Sequence, residues 1–411
     1  MGNISYFCIV KHLKYVLRYV VSIIFLLLTN NLQAQDTGSI FTDMDSVEIS
    51  LLTCEPREYI YSLYGHTAIR IKDNADNIDI AVNYGIFSFD KPFFVLRFVF
   101  GLTDYEIGIE DFEYFKRHYE RSGTGIRQQT LNLTKQEKSD IIKAIEKNYE
   151  PQNRVYRYNY FYDNCTTRAR DILVSHIKGI IRYPARNNKK TSYRKMIHSY
   201  NENHRWARLG NDLLLGVKTD MPTDRNQQQF LPDNLRKDFD NAVIVDNNKI
   251  KRPLVKQSSW VVPQSGIQPK NKLQISPNTC AIVFATIMIL ITIFEWYKKR
   301  TFWGIDAFVL FTTGLCGIIL FAMIFSKHPA VNLNFQILLL NPLSLVYLYP
   351  TVRDIRNNKV PVWLLAWIFF LIIFFFAGFF QKYAEGMYFV ASSLLIRYIL
   401  KLDQIISINK K

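Results

Sequence analysis

The stretch YGHTAIRIKDNADNIDIAVNYGIFSF (64–89) sets two runs rich in β-branched residues on either side of KDNADN, a hexamer of turn formers. Alternation on both flanks of such a turn is a hairpin signal. Pairing Ile71 with Ile78, Ile69 with Ile80 and Thr67 with Val82 makes one face of the hairpin apolar. The same register sets Arg70 against Asp79, Ala68 against Ala81 and His66 against Asn83 on the other face. A one-residue slip would oppose aliphatic to polar side chains along the ladder, so the pattern selects this pairing over its immediate neighbours. It leaves His66 and Asn83 side by side.

Further along, YFYDNCTTRARDIL (160–173) places Cys165 in the first turn of a predicted helix, with Asp163 or Asn164 as its N-cap. Ala169, Ile172, Leu173 and His176 follow at helical spacing and turn the thiol toward whatever the helix packs on. Backbone N–H groups and the helix dipole favour a thiolate there, and Arg168 and Arg170 add positive charge. A cysteine at a helix N-terminus, a histidine on a strand and a polar neighbour that orients the imidazole make up the papain-type constellation. In these terms Cys165 is the nucleophile, His66 the general base and then general acid, and Asn83 the orienter. A buried inert cysteine fits the helix pattern alone; three matching roles favour catalysis.

The chain of 411 residues is 49% hydrophobic, and its apolar residues are unevenly spread. Lys11, Lys14 and Arg18 precede YVVSIIFLLL (19–28), and LQAQD comes after it. That is a signal peptide over 1–34, which exports the downstream domain whether it is cleaved or kept as an anchor. Residues 36–278 hold no run long enough to cross a bilayer, whereas 279–401 hold five apolar stretches, and 402–411 form a polar tail. The basic loops KKR (298–300) and VRDIRNNK (352–359) alternate with SKHPAVNLN (326–334) and QKYAE (381–385). The basic loops and the tail belong in the cytoplasm, which puts 36–278 outside it. Lys270 and Lys272, just before the first span, run against that rule, but a signal-led domain translocates regardless of such charge. The net charge of +16 partly reflects this asymmetry, and no nucleic-acid motif accompanies it. Nucleic acid is therefore no expected partner.

Cys54 and Cys165 are the only cysteines in 36–278, and in an oxidising compartment a disulfide between them is the competing reading. No zinc-ligand cluster, P-loop or dinucleotide fingerprint occurs, so neither metal nor cofactor is expected. His328 and Asn332 in the 326–334 loop are placed to touch a headgroup or acceptor, as is Asn341, which with Pro342 breaks the third span. Packing explains Asn341 equally well. Tyr156, Tyr158, Tyr160 and Tyr162 alternate, as on one face of a strand leading to Cys165, and would line an acyl tunnel or pack the core. FVLRFVFG (94–101) would dip into lipid or join the core, and Thr134 with Glu137 forms a capping box.

YGHTAIRI, NYGIFSF, LNLT, NYFYDNCTTRARDIL, DLLLG and FLP together resemble the exported domain of the bacterial lipoprotein N-acyltransferase family known as Lnb. SKHPAVNLNFQILLLNPL (326–343) resembles the polar loop and span of that family, so the likeness covers nearly the whole chain after the signal. One departure is CEPRE from Cys54, where the family leads one to expect Cys-x-Pro-Gly. The resemblance implies an α+β exported domain of circularly permuted papain/NlpC-like fold, joined to an all-α transmembrane bundle of about five helices. It implies residence in the bacterial inner membrane, with the catalytic domain in the periplasm. It further implies transfer of a fatty acyl chain, with membrane phospholipid as donor, to the α-amino group of a diacylated lipoprotein. Two rivals stand beside it: a membrane-anchored cysteine hydrolase such as a peptidoglycan amidase or phospholipase, and a non-catalytic module stapled by Cys54 and Cys165.

Overall fold

Alternating apolar residues over 47–131 produce an antiparallel sheet in the computed structural model, which describes residues 41, 43–57, 62–87, 92–185, 190–264 and 275–409. The signal segment 1–34, Lys270 and Lys272 lie outside the described residues. The strands are β1 (Val47–Cys54), β2 (His66–Asp73), β3 (Ile78–Ile86), β4 (Asp104–Asp111), β5 (Ile126–Leu131) and β6 (Val155–Arg157). A later strand, β10 (Val255–Val262), closes one edge, in the order β10-β5-β1-β2-β3-β4-β6. A three-stranded sheet is built from β7 (Ile180–Arg182), β8 (Val243–Val245) and β9 (Lys251–Pro253).

The β2–β3 hairpin forms, but two residues out of the expected register: Ile71 faces Ile80, Ile69 faces Val82 and Ala68 faces Asn83. The cause is the turn. Asp73 already pairs with Ile78, its carboxylate accepts Ala75 N–H at 2.9 Å and the Ser46 hydroxyl at 2.5 Å, and Asn77 adopts φ 54°. These bonds close the turn over 74–77 and leave Lys72 and Asp73 in strand. A slip of two returns every side chain to its original face, so alternation cannot reveal it. His66 and Asn83 become diagonal neighbours on one face and still meet.

After α1 (Phe94–Val99), α2 (Phe112–Arg121) covers one sheet face, packing Phe112, Phe115 and Tyr119 against Leu52, Cys54, Ala68 and Ala81. α3 (Lys135–Tyr149) starts with the expected capping box of Thr134 and Glu137, worth about 1 kcal/mol for such a cap. α4 (Cys165–Ser175) lies against β2 and β3, where Thr67 Oγ1 and Thr166 Oγ1 stand 3.0 Å apart. Ala169 and Leu173 are fully buried beneath it, as their spacing demands. The tyrosines do not share a strand face, because β6 stops at Arg157 and Asn159 turns back to bridge Asp163. Tyr158 stacks on Tyr105, Tyr160 meets Tyr64 edge-on, and Tyr162 packs on Tyr193.

Four more helices, α5 (Tyr193–His198), α6 (Arg205–Leu214), α7 (Arg225–Gln228) and α8 (Pro232–Asp240), lead to the C-terminal bundle. There α9 (Pro277–Lys298) and α10 (Trp303–Met323) are long and apolar enough to cross a membrane. The expected third span is not one helix. It is a 3₁₀ turn (Phe335–Leu338), α11 (Leu343–Val346) and α12 (Leu348–Arg356), with a bend of 77° between Phe335–Val346 and Leu348–Arg356. Pro342 offers no N–H to a helical ladder, and Asn341 Oδ1 accepts Leu343 N–H at 3.0 Å to start the next turn. α13 (Val362–Ala377) is shorter, and α14 (Met387–Asn409) continues as helix through the residues read as tail. The helices present Ile287, Leu290, Phe308, Phe311 and Phe369 outward, as lipid surroundings permit.

The sheet domain and the bundle share one packed unit, Asp45–Lys411. Leu63, Tyr64, Phe161, Phe230, Met323 and Val331 belong to a single apolar cluster. Asn334 Nδ2 donates to Leu213 O at 2.7 Å, Gln336 Nε2 to Asp212 O at 2.8 Å, and Gln381 Nε2 to Leu215 O at 3.1 Å. Segments 326–334 and 381–385, the weakly charged loops of the sequence, thus meet the sheet domain.

Candidate active site

His66 opens β2, where Gly65 brings the chain hard against the end of β1. Gly65 has φ 79°, and a Cβ there would stand 2.6 Å from Cys54 O, so only glycine fits without a shift. His66 Nε2 lies 3.0 Å from Asn83 Oδ1, and Asn83 Nδ2 donates to Glu110 Oε1 at 2.5 Å. An ionised carboxylate only accepts, so the Asn83 amide turns its nitrogen to Glu110 and its oxygen to His66. The imidazole must then carry hydrogen on Nε2. Nδ1 is left for the Cys165 thiolate, whose charge His66 favours; the sulfur itself lies 3.9 Å from Thr166 Oγ1.

Asn164, rather than Asp163, caps α4: its Oδ1 accepts from Thr166 N and Thr167 N at 2.9 Å each. Its Nδ2 donates to Tyr160 O and Phe230 O at 3.0 Å each, so the cap is also anchored from behind. This holds Cys165 in the first turn. Burial pushes the Cys165 thiol up, but the His66 charge, the hydrogen bond to His66 and the Thr67 N–H pull it down further, and the net shift is downward. For His66, burial works against the imidazolium, while the Cys165 charge and the hydrogen bonds to Cys165 and Asn83 raise its pKa. Each group thus favours the charged form of the other. The expected help from arginines is absent: Arg168 is tied to Asp163 in a bidentate pair, and Arg170 binds Asp171 and Asn226 O.

Gly85, at φ 91°, lies beside Cys165 on the β3 side. The point where its Cβ would sit is 3.6 Å from Cys165 Cβ, 3.8 Å from the Tyr156 hydroxyl and 4.0 Å from the Tyr105 ring. Tyr105, Tyr156 and Tyr158 all feel the charge of Cys165. Cys165 and the tyrosines Tyr105 and Tyr156 thus border one small space in front of Gly85.

Cys54 and Cys165 are both free thiols, so the stapled arrangement is not formed. Cys54 is buried against Tyr119, and burial pushes its thiol up to about 12, out of reach of nucleophilic chemistry near neutrality. A surface groove of about 740 Å³ runs behind α4, lined by residues including Lys147, Asp163, Arg168 and His176, and neither Cys165 nor His66 lines it.

The three candidates from the bundle have structural partners. His328 Nε2 donates to Phe98 O at 2.9 Å, Asn332 turns its amide nitrogen to His328 O at 2.7 Å, and Asn341 Oδ1 accepts Leu343 N–H at 3.0 Å. Glu110 is the site residue that sequence reasoning missed. It lies on β4, and only the β3–β4 register, which sets Asn83 opposite Gly108, brings it onto the same face as Asn83. Alternation in DYEIGIED marks Glu110 as a face-mate of Gly108, but nothing local names its partner.

Among known proteins, residues 36–202 match the Lnb N-terminal periplasmic domain, and residues 268–410 match the Lnb transmembrane domain. No curated protein and no solved structure matches the chain. The first match contains His66, Asn83, Glu110 and Cys165, the second takes in the whole helical bundle, and the chain belongs to the Lnb family.

Proposed function

We propose that the protein is a lipoprotein N-acyltransferase that carries the acyl chain on Cys165. The observation that carries this reading is the hydrogen-bonded chain His66–Asn83–Glu110 at the helix end that holds Cys165, with the thiol pKa lowered by His66 and the imidazole pKa raised by Cys165. The sheet with Cys165 on a helix end and His66 on a strand suits a permuted papain/NlpC-like domain, exposed to the periplasm and held by a multi-pass bundle in the inner membrane.

In the first half-reaction the Cys165 thiolate attacks an ester carbonyl of a membrane phospholipid. As the C–O bond breaks, the His66 imidazolium gives its proton to the departing alkoxide, leaving a lysophospholipid and an S-acyl enzyme. In the second, the free α-amine of a diacylglyceryl cysteine attacks the thioester while Nδ1 of His66 takes a proton from it. The C–S bond breaks and the thiolate is restored. Asn83 holds the ring by Nε2 throughout, so Nδ1 alternates between the two proton positions. Docking the domain on the bundle keeps the thiol beside the leaflet in which both substrates are anchored, an advantage of proximity.

The test is complementation of a strain lacking lipoprotein N-acylation, with N-terminal lipopeptides read by mass spectrometry. Wild type is expected to restore triacylated peptides and Cys165→Ser is not. Triacylated product from Cys165→Ser removes the cysteine from the mechanism.

A further inference from the structure

Helix α1 joins the thiol to the surface of the bundle. Its inner side carries Phe94 and Phe98, with ring centroids 6.4 Å apart. Phe94 stacks on Phe87 at 5.4 Å, Phe87 packs on Tyr105 at 4.9 Å, and Phe98 packs on Tyr158 at 6.4 Å. Tyr105 and Tyr158 stack at 4.1 Å, and the Tyr105 ring borders the same space before Gly85 that Cys165 borders. A continuous row of aromatic rings therefore runs from the nucleophile to α1.

The outer side of this segment is apolar and open: Phe93 is 79% exposed and Leu96 is 55% exposed. Its C-terminal carbonyls are held by the loop that leaves α10. Ser326 Oγ donates to Val99 O at 3.0 Å, Lys327 N to Phe100 O at 2.9 Å, and His328 Nε2 to Phe98 O at 2.9 Å. The end of α10 and the residues just after it expose Phe321, Ile324 and Phe325, so the C-terminal end of α1 is tied to the end of an apolar helix surface. Arg97 and Arg157 both pair with Asp104 beside α1, keeping positive charge at the rim of the apolar face.

We infer that α1 lies in the outer leaflet with Phe93 and Leu96 among the lipid tails, and that the aromatic row behind it receives one fatty acyl chain of a phospholipid while the ester of that chain stands at Cys165. This rests on the proposed role of Cys165 and deepens it by naming where the donor chain lies. The occupant is lipid because the exposed apolar residues of α1 sit on a segment whose C-terminal end is bonded to the loop leaving an apolar membrane helix, and because rings without intervening charge suit an alkyl chain. The His328 side chain acquires a function here: it is a clasp between α1 and the bundle. Burial holds its imidazole below the usual range, so it stays neutral and donates to the Phe98 carbonyl.

The test uses the full chain in vesicles of phosphatidylethanolamine and phosphatidylglycerol containing a phospholipid with a photoactivatable diazirine at the acyl terminus. Wild type and Cys165→Ser are both expected to carry crosslinks within 93–98, beyond those on the outer faces of α9, α10, α13 and α14. Crosslinks confined to the bundle helices overturn the inference, whatever the fate of the reaction. In the same vesicles Leu96→Asp is expected to slow S-acylation of Cys165 about tenfold, which corresponds to about 1.4 kcal/mol, and Leu96→Phe to retain the wild-type rate. Leu96→Asp acylating at the wild-type rate also overturns it. Should wild type form no S-acyl adduct at all, the thioester reading fails and the crosslinks still decide where the chain lies.

Discussion

Asn83 Nδ2 donates to Glu110 Oε1 at 2.5 Å, and that bond decides which atom of Asn83 faces His66. Burial lifts the Glu110 carboxyl above its usual range, opposed by the charge of His66 and the Asn83 amide, so Glu110 and an imidazolium stabilise each other. Glu110→Ala frees the amide to rotate and is expected to reduce thioester formation on the order of tenfold to a hundredfold, the scale of a misplaced catalytic group. Glu110→Gln keeps an acceptor oxygen and loses the charge. Its maximal rate should fall little, while the alkaline limb of its pH–rate profile moves to lower pH because His66⁺ has lost a carboxylate. Equal profiles for wild type and Glu110→Gln would show that the carboxylate charge does not reach the imidazole.

The two shifts at the centre set the pH dependence of the first half-reaction. Cys165 titrates below its ordinary value and His66 above its own. The reactive pair of thiolate and imidazolium exists above the first pKa and below the second. S-acylation should trace a bell: the acid limb reports protonation of sulfur, and the alkaline limb reports loss of the proton needed by the departing alkoxide. Cys54, pushed up to about 12, takes no part. Brief iodoacetamide treatment at neutral pH, then peptide mapping, is expected to modify Cys165 and spare Cys54 until the protein is unfolded. His66→Ala should return Cys165 toward an ordinary thiol and slow its alkylation. A Cys165 that alkylates at the same rate with and without His66 excludes the ion pair.

The parts of this site that were legible in the sequence are those written in local pattern. Asn164 before Cys165 is an N-cap signal, and the flanks of KDNADN announce a hairpin, which brings His66 and Asn83 onto one face. The hairpin register was not legible, because the Asp73 and Asn77 turn geometry moves it by an even number of residues and every face is conserved. Glu110 was hidden because it depends on the pairing of strands that α1 separates in the chain. Arg397 and Lys401 find their partners, Glu295 and Asp306, on two other helices. Long-range pairing of this kind leaves no periodic trace.

Gly65 ties backbone geometry to the position of His66. With φ 79° and a would-be Cβ only 2.6 Å from Cys54 O, Gly65→Ala must open the junction of β1 and β2. A left-handed non-glycine residue costs about 1–3 kcal/mol before the clash is counted. The variant is expected to unfold at lower temperature in detergent and to lose S-acylation more than stability, since the strand that moves carries His66, the proposed general base. A variant that melts early yet acylates normally when folded would show that His66 tolerates the shift.

The four charges inside the bundle make the last prediction. Arg397 donates to Asp306 Oδ1 at 2.8 Å and to Glu295 Oε2 at 2.7 Å, and Lys401 Nζ lies 2.6 Å from Asp306 and 3.3 Å from Glu295. All four side chains are buried, so two acids and two bases balance out of reach of water. Removing one member leaves an uncompensated buried charge, which costs about 3–5 kcal/mol where it has been measured, whereas replacing a pair by apolar groups of similar volume is often neutral. Arg397→Met should therefore lower the unfolding midpoint of the detergent-solubilised protein strongly. Arg397→Met combined with Asp306→Leu should recover much of that loss, because Lys401 and Glu295 still satisfy each other at 3.3 Å. The double variant melting at or below the single one would mean that the cluster acts through geometry rather than charge balance. Neither variant is expected to change the alkylation rate of Cys165, since the cluster sits at the end of α9 and the start of α10, where the chain turns through KKR, away from the loops that meet the sheet domain.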